Sequence, residues 1–183
     1  MNTDSVLLGH GSGGKLSHDL ISGPFLKHFR NPHLDKQTDA AILEPGDGII
    51  SFTTDSFVVD PLFFPGGDIG RLAVAGTVND IATSGARPLY LSVGFVLEEG
   101  LAVSDLRRIL SSMAEVADEA GVRIVTGDTK VVERGHGDGA YINTAGVGVI
   151  PAGVDLSGSY CRAGDKILLS GTLGDHGIAV VSV

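Results

Sequence analysis

Extended and helical apolar patterns alternate along this chain, and that alternation restricts its fold more than any other feature. Leu89 to Leu97 places apolar residues at every second position, which is the period of a strand. Ser104 to Ala120 carries its apolar residues at the spacing of one buried helix face, with Ser104 as the predicted cap and Gly121 just beyond the end. Ala140 to Ile150 is predicted to be extended again. The pattern therefore predicts an α/β domain.

Shorter elements fill the remainder of this domain. Gly48 to Thr54 is rich in strand formers and is predicted to end at Asp55. A helix is predicted to open at Asp68. Val122 to Val125 is predicted as a strand that runs into a loop over Thr126 to Lys130.

The chain is expected to hold one domain and the beginning of another. We assign residues 1–153 to the first domain and 154–183 to the second. In the second part, a strand is predicted over Lys166 to Leu169, and another apolar element from Ile178 onward. About 30 residues cannot bury a core of their own. We therefore expect the chain to stop inside the second domain.

Composition excludes several classes of function. The net charge of −9 argues against a nucleic-acid surface, because phosphate backbones are bound by basic patches. The one cysteine, Cys161, cannot form an intramolecular disulfide and suits a reducing compartment. The sequence has no export signal and no apolar run of the ~20 residues that cross a bilayer. We expect a cytoplasmic protein without nucleic-acid or membrane partners.

A glycine-rich run near the N-terminus almost matches a phosphate-binding loop. Gly9 to Lys15 has the glycines and the lysine, but Leu16 stands where that loop needs a hydroxyl to bind Mg²⁺. Lys15 to Arg30 is predicted to be helical, with an interruption at Gly23-Pro24. Two interpretations stay open: a flexible segment, or a flap whose backbone N–H groups and Lys15 close over a phosphate.

Four aspartates lie at or near the ends of apolar elements: Asp39, Asp55, Asp80 and Asp128. Mg²⁺ takes hard oxygen ligands and bridges carboxylates to the oxygens of a triphosphate. Each aspartate taken alone is more often a cap or a turn residue. Four in similar settings, with Asn79 beside Asp80, shift the balance modestly toward a magnesium and nucleotide site, and their spacing alone does not decide between the two interpretations.

Lys130 follows Gly127-Asp128-Thr129 directly. Backbone N–H groups, a hydroxyl and an ammonium group could surround one phosphate there. The alternative is a solvated lysine at the end of a strand, where lysine is usually exposed.

Several long blocks together resemble one family. They are HGSGGK, TTDSFVVDPLFFPGGDIGRLAVAGTVNDIATSGARPLYL, LEEG, IVTGDTKVVERG, INTAGVG and LLSGTLGDHG, in this order over nearly the whole chain. The sequence resembles the HypE family of hydrogenase maturation proteins, part of the superfamily of aminoimidazole ribonucleotide synthetase, selenophosphate synthetase and thiamine monophosphate kinase. The resemblance implies a two-layer domain in which a mixed sheet is flanked by helices. It also implies a barrel-like homodimer formed by pairing two such sheets, with nucleotide near the interface.

The resemblance further implies a role for each candidate residue, with ATP and Mg²⁺ as cofactors. The metal would be held by Asp39, Asp55 and Asp80, and Lys130 and Asp80 would take part in the chemistry. The remaining residues would line the nucleotide pocket: Gly11, Gly13, Gly14, Asn79, Gly127, Asp128 and Thr129. Thr38 stands where some relatives carry a second acid, which weakens the assignment of Asp39.

The implied reaction is the ATP-dependent dehydration of a carboxamide on the sulfur of a C-terminal cysteine. The product is a thiocyanate, the precursor of a cyanide ligand in [NiFe] hydrogenase. Implied partners are a carbamoyl-transferring maturation protein and an iron-centre scaffold complex. No cysteine ends this chain, so we expect nucleotide binding and dimerisation without the complete reaction. The alternatives are a non-catalytic dimerisation or docking module, or another ATP-dependent member of the superfamily.

Overall fold

The computed structural model describes residues 14–20, 22, 41–46 and 48–183. The chain divides into two units, residues 1–41 and residues 42–183. Within the first unit, helix α1 spans Lys15–Leu20. This confirms the start of the helix predicted for residues 15–30, and the remainder of that helix lies outside the described residues, apart from residue 22.

From residue 41 onward, the described chain forms both strands and helices. The strands are β1 (Ala41–Gly46), β2 (Gly48–Phe57), β3 (Phe63–Phe64), β4 (Gly67–Asp68), β5 (Arg87–Glu98), β6 (Arg123–Val132) and β7 (Ala140–Val149). The helices are α2 (Ile69–Thr83), α3 (Val103–Ala120) and α4 (Asp175–Val181), with a short 3₁₀ turn at Gly158–Tyr160. The predicted α/β class is confirmed.

Within the described residues, five strands form one mixed sheet in the order β1-β2-β7-β5-β6. β7 lies antiparallel between β2 and β5, whereas β6 runs parallel to β5. A parallel pair needs a long crossover, and α3 supplies it between β5 and β6. β6 is therefore placed at one side of the sheet and β2 near the other.

Helices α2 and α3 cover one face of the sheet and form the core with it. Every second residue of β7 is buried, as expected for a strand with one covered face. The largest fully buried apolar side chains come from both layers: Ile69, Val74, Ile81, Leu91, Ile109, Met113 and Ile142. The other face of the sheet carries exposed apolar residues, including Phe52 and Tyr90.

Asp68 explains why α2 begins where it does. Its Oδ1 atom accepts hydrogen bonds from the backbone N–H groups of Gly70 (2.7 Å) and Arg71 (3.1 Å). The same oxygen accepts a hydrogen bond of 2.6 Å from Ser112 Oγ on α3. Gly70 allows the close crossing, because a Cβ atom there would lie 2.5 Å from the carbonyl oxygen of Ile109. One side chain thus caps α2 and ties it to α3, and the predicted helix start is confirmed.

Three local predictions are wrong. Ala102, not Ser104, is the N-cap of α3, and its side chain makes no capping bond. Residues 126–130 are not a loop but continue β6, because they pair with β5. Residues 166–169 form no strand, since no neighbouring strand among the described residues pairs with them. Gly121, in contrast, has the left-handed conformation predicted after α3, with φ 67°.

Candidate functional site

Asp55 and Asp80 both lie along the contact between β2 and α2. Thr53, two residues before Asp55 on β2, donates a hydrogen bond from Oγ1 to Asp80 Oδ2 at 3.3 Å. One turn before Asp80, Gly76 packs against β2, and a Cβ atom there would lie 3.9 Å from Asp55 Oδ2. Two of the predicted metal ligands therefore lie along one strand–helix contact, although 25 residues of sequence separate them.

The environments of these two carboxylates differ. Asp80 is half-buried and Asp55 is exposed. Asp55 Oδ1 accepts a hydrogen bond of 2.8 Å from the N–H of Ser56. Asn79, beside Asp80, is exposed. Hard oxygen ligands, partly open to solvent, are the set that Mg²⁺ takes when it keeps several waters or phosphate oxygens as further ligands.

Strand register places the second group of candidates across the sheet. Asp55 lies opposite Thr144, Thr144 opposite Val93, and Val93 opposite Gly127. Neighbouring strands are ~4.8 Å apart, so Asp55 and Gly127 are separated by roughly 14 Å. Asp55 and the Gly127–Lys130 segment thus lie on different strands of one sheet and do not touch within one chain.

Asp128 and Lys130 share the face of the sheet that the helices leave open. Side chains alternate between faces along a strand, and Gly127 is in register with the buried Val93. Asp128 and Lys130 are both largely exposed, and Lys130 Nζ lies 3.9 Å from Asp128 Oδ2. By the same alternation, Thr129 belongs to the helix side. The candidates are therefore divided between two faces.

Gly127 brings the backbone of β6 close to β5 at this point. A Cβ atom on Gly127 would collide with the carbonyl oxygen of Val93, so no other residue fits there without a strand shift. Gly94 lies opposite Asp128 and Asn143, and the nearest atoms to a Cβ there, both of Asn143, are at 3.8 and 3.9 Å. Gly94 therefore leaves a gap without a side chain on the open face, between Asp128 and Asn143.

Sequence reasoning missed two residues that shape the site. Thr53 holds Asp80, and Asn143 donates hydrogen bonds from Nδ2 to the carbonyl oxygen of Asp55 (3.0 Å) and to Ser56 Oγ (2.9 Å). Both are polar residues in strands rich in apolar residues, and this is the sequence feature that could have identified them. Their partners lie 27 and about 88 residues away, and only the fold reveals them.

Several predicted site residues cannot be placed against the sheet. Gly11, Gly13 and Asp39 lie outside the described residues. Gly14 is described and exposed, but it belongs to the separate N-terminal unit. The described residues contain no cluster of three or more acidic, histidine or cysteine side chains that could hold a metal ion. Asp55 and Asp80 alone would supply only part of a coordination sphere.

No described helix has the length and apolar character needed to cross a membrane.

Known proteins share both the sequence pattern and the fold of this chain. Residues 37–150 match the family model of AIR synthase related protein, N-terminal domain. The chain is 55% identical over 183 residues to carbamoyl dehydratase HypE of Azotobacter vinelandii and 52% identical over 186 residues to that of Escherichia coli K12. These matches cover 100% and 98% of this chain, but 54% and 55% of the relatives.

Solved structures agree with this match. A HypE–HypF complex superposes with a TM-score of 0.84 at 52% identity, covering 92% of this chain and 53% of the other. HypE in complex with ATP superposes with a TM-score of 0.72 at 56% identity, covering 97% and 53%. The chain spans about half the length of the curated relatives it matches. It belongs to the family of AIR synthase related proteins and carries their N-terminal domain.

Proposed function

We propose that the chain is the ATP-binding and dimerising part of a cytoplasmic, ATP-dependent carbamoyl dehydratase of [NiFe] hydrogenase maturation. The observation that carries this proposal is the placement of Asp55 and Asp80 along the same contact between β2 and α2. Relatives named carbamoyl dehydratase HypE and a HypE structure with ATP support it. The two carboxylates suit Mg²⁺, which neutralises charge on a transferred phosphoryl group when it is bound.

Each candidate residue has a task in this proposal. Asp55 and Asp80 hold the metal, with Asp39 as a third ligand. The pocket for the nucleotide is completed by Gly11, Gly13, Gly14, Asn79, Gly127, Asp128 and Thr129. Lys130 is the residue proposed to take part in proton transfer at the reacting carboxamide, because its side chain is exposed on the open face and a substrate can reach it.

The proposed chemistry removes one water from a carboxamide carried on a cysteine sulfur. The γ-phosphoryl group of ATP is transferred to the amide oxygen, which makes that oxygen a good leaving group. The C–O bond then breaks to release phosphate, and the two N–H protons are removed as the C≡N bond forms. ATP and the S-carboxamide become ADP, phosphate and a thiocyanate, so atoms and charge balance when the protons pass to solvent through a base.

A homodimer would bring the open-face candidate residues of two copies together. The open face of the sheet exposes Phe52 (40%), Tyr90 (48%) and Val149 (39%), which are large apolar side chains on neighbouring strands. Pairing this face with a second copy would cover them, and would place Asp128 and Lys130 at the interface. The proposed occupant is a second copy because the apolar surface is contiguous with the candidate site.

The test is calorimetric titration of the chain with Mg-ATP, beside an Asp80→Asn variant. We expect wild-type binding and a loss of at least about tenfold in affinity in the variant, since one metal ligand is neutralised. The matched control is Asp118→Asn, the same change at an exposed position of α3, which should bind like the wild type. Equal affinity in Asp80→Asn and Asp118→Asn would remove Asp80 from the site.

A second candidate function is a docking module without catalysis. The similarity to HypE in a HypE–HypF complex favours it, and we propose a carbamoyl-transferring protein of that kind and an iron-centre scaffold complex as partners. ATP hydrolysis by the chain, abolished by Asp80→Asn, would favour the enzyme. Partner binding without nucleotide binding would favour the docking module.

A further inference from the structure

β6 carries three of the candidate residues and has little support from its neighbours. Among the described strands it pairs with β5 alone, at one end of the sheet. Nine of its ten residues are exposed. A strand held by one parallel ladder and little side-chain packing is among the least stable parts of a sheet. Its position must therefore depend on what holds its ends.

The C-terminal end of β6 is held by Glu98, the last residue of β5. Glu98 Oε1 accepts a hydrogen bond of 2.6 Å from the N–H of Gly135, and Oε2 accepts one of 3.1 Å from the N–H of Gly139. The backbone N–H of Glu98 also donates to the carbonyl oxygen of Gly139 at 2.8 Å. One side chain thus holds both sides of the loop between β6 and β7.

The loop also packs closely on this carboxylate. A Cβ atom on Gly137 would lie 3.5 Å from the Tyr141 ring and from Val132, and 3.6 Å from Glu98 Cβ. Val132, the last residue of β6, accepts a hydrogen bond of 2.9 Å from the N–H of Glu99. The end of β6 and the loop after it therefore form one packed unit around Glu98.

We infer that Glu98 is a positioning residue: by holding the β6–β7 loop, it fixes the end of β6 and thereby Asp128, Thr129 and Lys130. Val132, which pairs with Glu98, is two residues from Lys130. Rotation of the strand end would turn Lys130 away from the open face, because side-chain direction alternates along a strand. The inference rests on the proposed function only where it assigns a role in nucleotide binding to this segment.

The charges around Glu98 support its role as an ionised acceptor. The N–H groups of Gly135 and Gly139 lower the pKa of Glu98 below its ordinary value, with smaller contributions from Arg134 and His136. Partial burial and the neighbouring Asp138 raise the pKa of Tyr141, which keeps that phenol neutral beside Glu98. Hydrogen bonds to a charged acceptor are stronger than those to a neutral one. Glutamine should therefore hold the loop poorly.

The experiment compares Glu98→Gln with Glu99→Gln in the whole chain. Glu99 is the exposed neighbour and loses the same charge, so it controls for electrostatics at a distance. We expect amide hydrogen exchange in residues 123–139 to be about fivefold faster in Glu98→Gln, since the loss of such hydrogen bonds is worth roughly that factor in local opening. Exchange in α2 should not change. Affinity for Mg-ATP should fall in Glu98→Gln and not in Glu99→Gln.

Each result decides a separate point. Unchanged exchange in residues 123–139 would overturn the inference. Faster exchange confined to residues 133–139, with β6 unaffected, would also overturn it, because the loop would then not position the strand. If the wild-type chain binds no nucleotide, the proposed function fails for this chain, and exchange within β6 alone decides the positioning role. An equal rise in exchange rate, or an equal loss of nucleotide affinity, in both variants would assign the effect to charge and overturn the positioning role.

Discussion

Replacement of Gly127 by alanine should weaken the fold and the proposed site together. Gly127 lies on β6 opposite Val93, and an added Cβ atom would overlap the Val93 carbonyl oxygen. That oxygen belongs to the backbone of β5, so it cannot move aside as the end of a long side chain can. β6 would have to shift outward by about 1 Å to restore a normal van der Waals separation.

The magnitude follows from two opposing terms. Overpacking of this kind costs about 1–3 kcal/mol. Alanine also restricts the unfolded chain, which returns about 0.4–1 kcal/mol. We therefore expect a net loss of about 1–2 kcal/mol, or a Tm lower by about 2–8 °C for a chain of this size.

Gly94 on the adjacent strand supplies a matched control. An added Cβ atom there meets nothing closer than 3.8 Å, so Gly94→Ala lacks the collision but keeps the effect on the unfolded chain. Urea unfolding of both variants and of the wild type measures the difference. If Gly127→Ala and Gly94→Ala had the same stability, the close approach of β6 to β5 would be wrong.

Two further predictions concern single carboxylates. Asp68→Ala should lower the free energy of unfolding by about 1–2 kcal/mol, because α2 loses its cap and α3 loses the Ser112 bond; an unchanged urea midpoint would contradict this. The lowered pKa of Glu98 means that its contribution to loop closure is complete above the ordinary value of 4.5 and is lost as pH falls through the lower folded pKa. In NMR titrations, the amide shifts of Gly135 and Gly139 should therefore change with a midpoint below pH 4.5. A midpoint at or above pH 4.5 would contradict the hydrogen bonds from these two N–H groups to an ionised Glu98.

Local sequence signals predicted the elements whose stability is itself local. Asp68 marks the start of α2 and Gly121 the end of α3, because caps act within one turn. Residues 126–130 were predicted as a loop, yet pairing with β5 extends them into β6. Residues 166–169 have the composition of a strand but form none, since a strand requires a partner and composition does not supply one.

The candidate site was predicted as residues but not as geometry. The positions of Asp55 and Asp80 near the ends of apolar segments identified them, and the fold places both along the contact between β2 and α2. The sequence placed Asp128 and Lys130 after a different predicted strand, but nothing in it indicated that they face the open side of the sheet. Strand order determines that distance, and it depends on contacts between residues far apart in the chain.

The attachment of Asp68 to both helices makes that end of α2 a pivot. Asp80 lies twelve residues further along the helix, which corresponds to about 18 Å at the rise of an α-helix. A tilt of about 5° around the Asp68 end would carry Asp80 sideways by roughly 1.6 Å while the pivot hardly moved. The hydrogen bond from Thr53 to Asp80 opposes such a tilt at the far end of the helix and so fixes the position of this carboxylate beside β2.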